Sequence, residues 1–394
     1  MTLAPSEEGL WAKLPKEKPI KFTDAEINDR YTRGEGRIVI ETNREKLPNF
    51  ITSLKQANYM DLRPFYQRRP RWSPEKQSLL VESFIMNIPV PPVFLYEKEY
   101  NSYEVMDGQQ RLTALRDFYS GAFELTGLQQ WPEINGRTYH TLPEKIQAGL
   151  DRRSITSIVL LKESTTDEDE ASSLRETVFE RLNTGGVELT RQEIRNALYP
   201  GRMHNLVERL SRRPRFREAW NIPAYIENEI NETPGLLEIP FFAKMEDVEM
   251  VLRFFALRHA AEYRHGMQGF LDLYMRKAEK FTDADVSVLE REFIDTLDLA
   301  GEVFGNTLFK PFDTDKDDWA SKAQKAYYDA VMVGMSSFLP QSAGVKAKSS
   351  EIKAAIAQMF RKHEPGTFTG RGNTKDDIQT RIRIFQETVK GVIS

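Results

Sequence analysis

From Thr190 onward, apolar residues recur at helical spacing almost without interruption, and this pattern constrains the fold most. Thr190-Arg-Gln-Glu193 has the form of a capping box, and Pro200-Gly201 stops the helix that it opens. The stretches 245–262, 286–304, 322–338, 350–362 and 376–392 each read as a long amphipathic helix. The first half is different. Short apolar runs at 37–42, 93–96, 103–106 and 155–161 have strand length and alternate with helical stretches. The class expected is therefore α+β, with a mixed α/β N-terminal domain followed by an α-helical C-terminal domain.

Local signals place the elements. Asn43 is positioned to cap a helix that carries Leu47, Phe50, Ile51 and Leu54 on one face. Ser73-Pro74-Glu75 supplies a capping hydroxyl, a proline for the first turn and an acid for the helix dipole. The helix it opens is expected to end at Pro89. The runs at 93–96 and 103–106, with Asn101-Ser102 between them, predict a hairpin. Residues 1–34 read as a flexible arm, 35–200 as the mixed domain and 201–394 as the helical one.

Composition narrows the chemistry. The chain has 394 residues and a net charge of -4, so any nucleic-acid surface must be a local patch. It has no cysteine, which removes disulfides, thiolate metal sites and a cysteine nucleophile. Its five histidines (His140, His204, His259, His265 and His363) lack metal-ligand spacing. No run approaches the ~20 apolar residues of a membrane helix, so a soluble, cytoplasmic protein with no membrane partner is expected. The acidic run Asp167-Glu-Asp-Glu170 reads as a first helical turn rather than a metal site.

The second strand of the hairpin runs directly into Asp107-Gly108-Gln109-Gln110-Arg111, after which Leu112, Leu115 and Phe118 follow at helical spacing. A strand-to-helix turn of this kind presents backbone N–H groups and a positive helix dipole to one spot. Gly108 permits close approach of a ligand, Arg111 offers a bidentate fork for phosphate, and Gln109 and Gln110 add neutral donors. Asp107 would repel phosphate unless Mg²⁺ lies between them, or it serves only as the helix cap. The plain alternative is a capped helix with a surface arginine. Two further segments bear on the choice: the arginine-dense loop Gln67-Arg68-Arg69-Pro70-Arg71 and the turn Phe179-Glu-Arg-Leu-Asn-Thr-Gly-Gly186. Arg181 and Asn183 of the latter fit a phosphate pocket or an ordinary helix end equally well. The loop Thr369-Gly-Arg-Gly-Asn-Thr374 reads as an interhelical turn, with ligand or DNA contact as the alternative.

Tyr66-Gln67-Arg68, Asp107-Gly108-Gln109-Gln110-Arg111-Leu112-Thr113 and Phe179 to Gly186 occur in order, and together they resemble the N-terminal domain of GmrSD-type restriction systems, the "DGQQR" family. The resemblance covers roughly residues 35–200. It implies a ParB/sulfiredoxin-like core that binds and hydrolyses a nucleoside triphosphate, with Mg²⁺, to control DNA cleavage in antiviral defence. Carried over by position, Gln67, Arg68, Asp107, Gln109 and Arg111 would be the nucleotide-site residues, and the reading of the turns above adds Gly108, Gln110, Arg181 and Asn183 as further nucleotide-binding candidates. Asp107 and Arg111 would be catalytic, with Asp107 also a metal ligand. Residues 200–394 show none of the paired histidines of an HNH nuclease, so a separate nuclease or other defence protein is the partner implied. Two other functions remain open: a DNA-binding or nicking module, and a nucleotide-sensing regulator without turnover. Long amphipathic helices also allow a homo-oligomer.

Overall fold

A computed structural model describes residues 2–11, 23–32, 39–54, 56, 59–61, 72–161, 178, 181, 190–199, 201–364, 366–370 and 372–394. The chain divides into two compact units, residues 17–189 and residues 1–16 with 190–394.

The first unit is built on a five-stranded mixed sheet. Its strands are β1 (Ile40–Lys46), β2 (Met60–Asp61), β3 (Val93–Glu99), β4 (Ser102–Asp107) and β5 (Ser154–Leu160), in the order β1-β5-β3-β4-β2. β5 runs antiparallel to β1 and parallel to β3. β3 and β4 form the expected hairpin, turned by Asn101 in the left-handed region at φ 60°. Helices α1 (Asp24–Thr32), α2 (Leu47–Ser53), α3 (Pro74–Ile85), α4 (Gln109–Tyr119) and α5 (Glu144–Asp151) complete the described elements. Leu47, Phe50, Leu80, Phe84, Leu112, Leu115, Phe118 and Leu150 from α2 to α5 share one core with Val93, Leu95, Val105, Ile155 and Val159 from the sheet.

Ser73 caps α3 as its sequence predicts, its hydroxyl accepting from the Lys76 N–H at 3.4 Å. Two boundaries differ from expectation. Asn43 lies within β1, and α2 opens at Leu47 with Pro48 in its first turn. Pairing with β5 claims the Asn43 backbone, so the residue has no helix to cap. α3 ends at Ile85 rather than Pro89, because Asn87 turns into the left-handed region at φ 60° and the N–H groups of Asn87 and Ile88 bond back to the carbonyls of Phe84 (3.1 Å) and Ser83 (2.8 Å). Arg153 then donates to the end carbonyls of Phe84 (2.9 Å) and Ile85 (3.1 Å). The acidic run at 167–170 lies outside the described residues.

The main part of the helical unit begins at Thr190, eleven residues before the expected start at 201. Its principal helices are α6 (Arg191–Leu198), α7 (Arg202–Ser211), α8 (Glu246–Leu257), α9 (Gly266–Ala278), α10 (Asp283–Phe304), α11 (Lys325–Ser336), α12 (Ser349–Lys362) and α13 (Lys375–Ile393). The capping box of α6 is present, with Glu193 accepting from the Thr190 N–H at 2.7 Å. Every residue from Ala326 to Ser336 is buried, which makes α11 the central helix against α8, α10 and α13.

The expectation of a flexible arm fails for residues 2–11, which belong to this unit. Ala4 and Glu7 are buried. The Glu7 carboxylate accepts from Tyr274 Oη (2.8 Å), pairs with His259 Nε2 at 3.0 Å and forms an ion pair with Arg258 at 2.5 Å. Trp11 stacks on Phe270 at 5.2 Å between ring centroids. No helix among the described residues is long and apolar enough to cross a membrane.

Candidate functional site

The turn between β4 and α4 is the site that the sequence singles out, and its shape follows from Gly108. This residue sits at φ 99°, ψ 5°, a left-handed conformation that side chains resist. A Cβ placed there would lie 2.6 Å from Val93 Cγ1. Only glycine therefore lets the chain turn from strand to helix this close to β3. Gly108 itself occupies the capping position, without a side-chain cap, and its carbonyl accepts from the Leu112 N–H at 2.9 Å. The first N–H groups of α4, from Gln109 to Arg111, have no carbonyl partners inside the helix.

Asp107, the last residue of β4, does not cap the helix. Its Oδ2 accepts from Arg111 Nη2 at 2.6 Å, across one helical turn. Arg111 Nη1 also donates to the carbonyls of Pro91 and, at 3.1 Å, Pro92. Its side chain is 12% exposed. Burial draws the guanidinium below its ordinary pKa, while the charge of Asp107 and its hydrogen bond push the other way. The result is a fixed cation, tied both to the strand end and to the segment entering β3. A surface arginine free to swing onto a phosphate is not what the fold provides. Gln109 is buried and Gln110 half-buried on the same turn.

The structure thus joins Asp107, Gly108, Gln109, Gln110 and Arg111 in one rigid turn. Arg181 is exposed in a helical position. Gln67, Arg68 and Asn183 lie outside the described residues. No group of three or more histidine, aspartate or glutamate side chains suited to a metal occurs among the described residues. Asp107 is thus the turn's one carboxylate for a divalent cation, and only its Oδ2 is engaged by Arg111.

The sequence reading missed the carbonyl contacts of Arg111. The proline pair Pro91-Pro92, whose nitrogens carry no hydrogen, was the available signal, since such a segment offers carbonyls without competing donors.

Comparison with known proteins bears on this turn. Residues 49–200 match the family model described as GmrSD restriction endonuclease, N-terminal domain. No curated protein and no solved structure matches the chain.

Proposed function

Since residues 49–200 form a domain of the GmrSD restriction endonuclease N-terminal family, we propose that the first unit binds a nucleoside triphosphate at the Asp107–Arg111 turn and hydrolyses it to control a DNA-targeting defence activity. The observation that carries this reading is the locked Arg111 guanidinium beside an uncapped helix start. An arginine already paid for in conformational entropy binds an anion better than a mobile one. The helix dipole and the N–H groups of the first turn add to its field.

In this reading the phosphates lie at the start of α4, with Gln109 and Gln110 as neutral partners and Gln67, Arg68, Arg181 and Asn183 completing the pocket. Mg²⁺ bound with the triphosphate would neutralise its charge, and Asp107 is the side chain that would hold it. One carboxylate with phosphate oxygens is an ordinary set of protein and substrate ligands for that ion. Arg111 opposes charge that develops on the transferred phosphoryl group, and Asp107 keeps the guanidinium oriented. The DNA-cutting step is assigned to a nuclease partner, with the nucleotide acting as its control.

Calorimetry with ATP or GTP and Mg²⁺, joined to phosphate release, tests the proposal. Because Arg111 is built into the fold, Arg111→Lys is the informative variant: it keeps the charge and loses the planar fork. Affinity should fall about tenfold or more, as expected for a lost charge-assisted hydrogen bond. Asp107→Asn should retain binding and lose turnover. Unchanged affinity in a folded Arg111→Lys protein, shown by circular dichroism, would sink the phosphate site.

A further inference from the structure

The helical unit contains a cavity of about 560 Å³, within the size range of small-ligand sites. Among the described residues three cations line it, Arg253, Lys322 and Lys325, and no carboxylate does. Trp220 and Phe241 also line it, their rings stacked on each other at 4.3 Å and 15°, so that the pair offers a ligand an outer ring face and its edges. Asn373 contributes an amide.

The cations differ in how far they are already neutralised. Arg253 is buried and bound by Asp329 through two hydrogen bonds, one of 3.0 Å. Lys325 Nζ meets Glu246 at 2.9 Å, with both side chains partly exposed. Lys322 is exposed and has no carboxylate partner among the described residues. Behind the wall, the fully buried Arg381 donates to the carbonyl of Gly372 and to Asn373 Oδ1, at 3.4 Å for the latter. Arg253 and Arg381 both act on the carboxylate of Asp329, and each has a second acidic neighbour, Glu249 for Arg253 and Asp377 for Arg381. The two arginines are therefore matched, and the charge left over at the cavity is that of Lys322. On the cavity wall, the buried Trp220 Nε1 has no acceptor. An exposed lysine without a carboxylate and an unmatched donor favour a ligand that brings negative charge and acceptors.

We propose that this cavity is a second binding site, separate from the Asp107 turn, for a nucleoside 5′-monophosphate. The base rests against Trp220 and Phe241, and the phosphate meets Lys322, Lys325 and Arg253. A triphosphate fits less well, since its larger charge calls for a metal and no carboxylate lines the cavity among the described residues. The outer face of the Trp220–Phe241 stack and the Asn373 amide suit a base better than an aliphatic chain.

The test uses the whole chain, titrated by calorimetry with AMP, GMP, CMP and UMP, with adenosine and ribose 5-phosphate as controls lacking phosphate and base. At least one monophosphate should bind. Both controls should bind about tenfold or more weakly, the loss expected when either stacking or the charged hydrogen bonds are removed. Lys322→Glu, a change on an exposed side chain, should weaken binding at least as much, and Arg111→Lys, which weakens the first site, should leave it unaltered. Three results would overturn the proposal: no monophosphate binding at millimolar concentration, binding unaffected by Lys322→Glu in a folded protein, or ribose 5-phosphate binding as tightly as the nucleotide. Binding of single-stranded DNA alone, lost in Lys322→Glu, would also overturn it by assigning the cations to a polymer. Loss of monophosphate binding in Arg111→Lys, with Lys322→Glu unaffected, would overturn it by relocating the ligand to the first unit.

Discussion

At the scale of single residues, Gly108 carries the clearest consequence. Substitution by alanine meets two separate penalties, a Cβ at φ 99° and a collision with Val93. Left-handed strain alone costs on the order of 1–2 kcal/mol, and overpacking adds about 1–3 kcal/mol. Gly108→Ala should therefore lower stability by several kcal/mol in urea denaturation. Adding Val93→Ala should restore only the packing part. Full rescue by the double variant would mean that the backbone conformation costs nothing, and a near-neutral single variant would remove the close approach altogether. The sequence made the glycine legible, because a strand running into a helix needs such a turn. The burial of Arg111 was far less legible, since its partners are carbonyls some twenty positions earlier, marked in the sequence only by the Pro91-Pro92 pair. The same blindness applies across the helical unit. Arg195, Arg217, Arg253, Arg258 and Arg381 are all buried, and each reads in sequence as an ordinary surface charge. Four of them are matched by carboxylates that come from other elements or distant turns: Arg195 by Glu249 and Asp272, Arg217 by Glu229, Arg253 by Asp329 and Arg258 by Glu7.

At the scale of elements, local chemistry was informative wherever it was self-contained. Ser73 and Thr190 start helices because their caps lie within three residues. The Asn101 hairpin closes for a similar reason. Asn43 misled because its capping chemistry was overridden by a partner strand more than a hundred residues later in the chain, from Arg44↔Thr156 to Ile40↔Leu160. Helix contacts are likewise set at long range. Gly334 on α11 is an instance, since a Cβ there would run into the ring of Phe385 on α13. A glycine inside a helix ordinarily costs about 1 kcal/mol relative to alanine, so Gly334→Ala would stabilise an isolated helix. Here the crossing decides the sign. The variant should be destabilised by about 1–3 kcal/mol, the usual penalty for overpacking a tight core, with a matching fall in denaturation midpoint. Combining it with Phe385→Leu should recover part of the loss. A raised midpoint in Gly334→Ala would show that α11 and α13 can separate without cost.

At the scale of the whole molecule, the helical unit is closed by the chain's first residues, and acid should open it. Thr2 donates to Glu292 at 2.9 Å, the Ser6 N–H donates to Asp285 at 2.8 Å, and Glu7 sits among Arg258, His259 and Tyr274. Burial alone would raise the Glu7 pKa, but the His259 hydrogen bond and the charge of Arg258 outweigh it and bring the group below its ordinary 4.5. Asp285 is also buried, yet bonds from Ser6 and Thr282 hold its pKa down at about 2. Both folded values lie below the unfolded ones. Their contribution is therefore fully present above about pH 4.5 and is lost as pH falls through the folded values toward 2. Trp11, stacked on Phe270, reports on the arm. The emission difference between the native protein and Trp11→Phe should stay constant from pH 7 to 5 and change below pH 4, before the circular dichroism of the helices is lost. In Glu7→Gln, Arg258 is left buried without its carboxylate, which costs on the order of 3–5 kcal/mol. That variant should show the loosened signal already at neutral pH, with a smaller remaining transition from Asp285. If Trp11 and the helices respond at one and the same pH, the arm is not a separately releasable element but an inseparable part of the helical core.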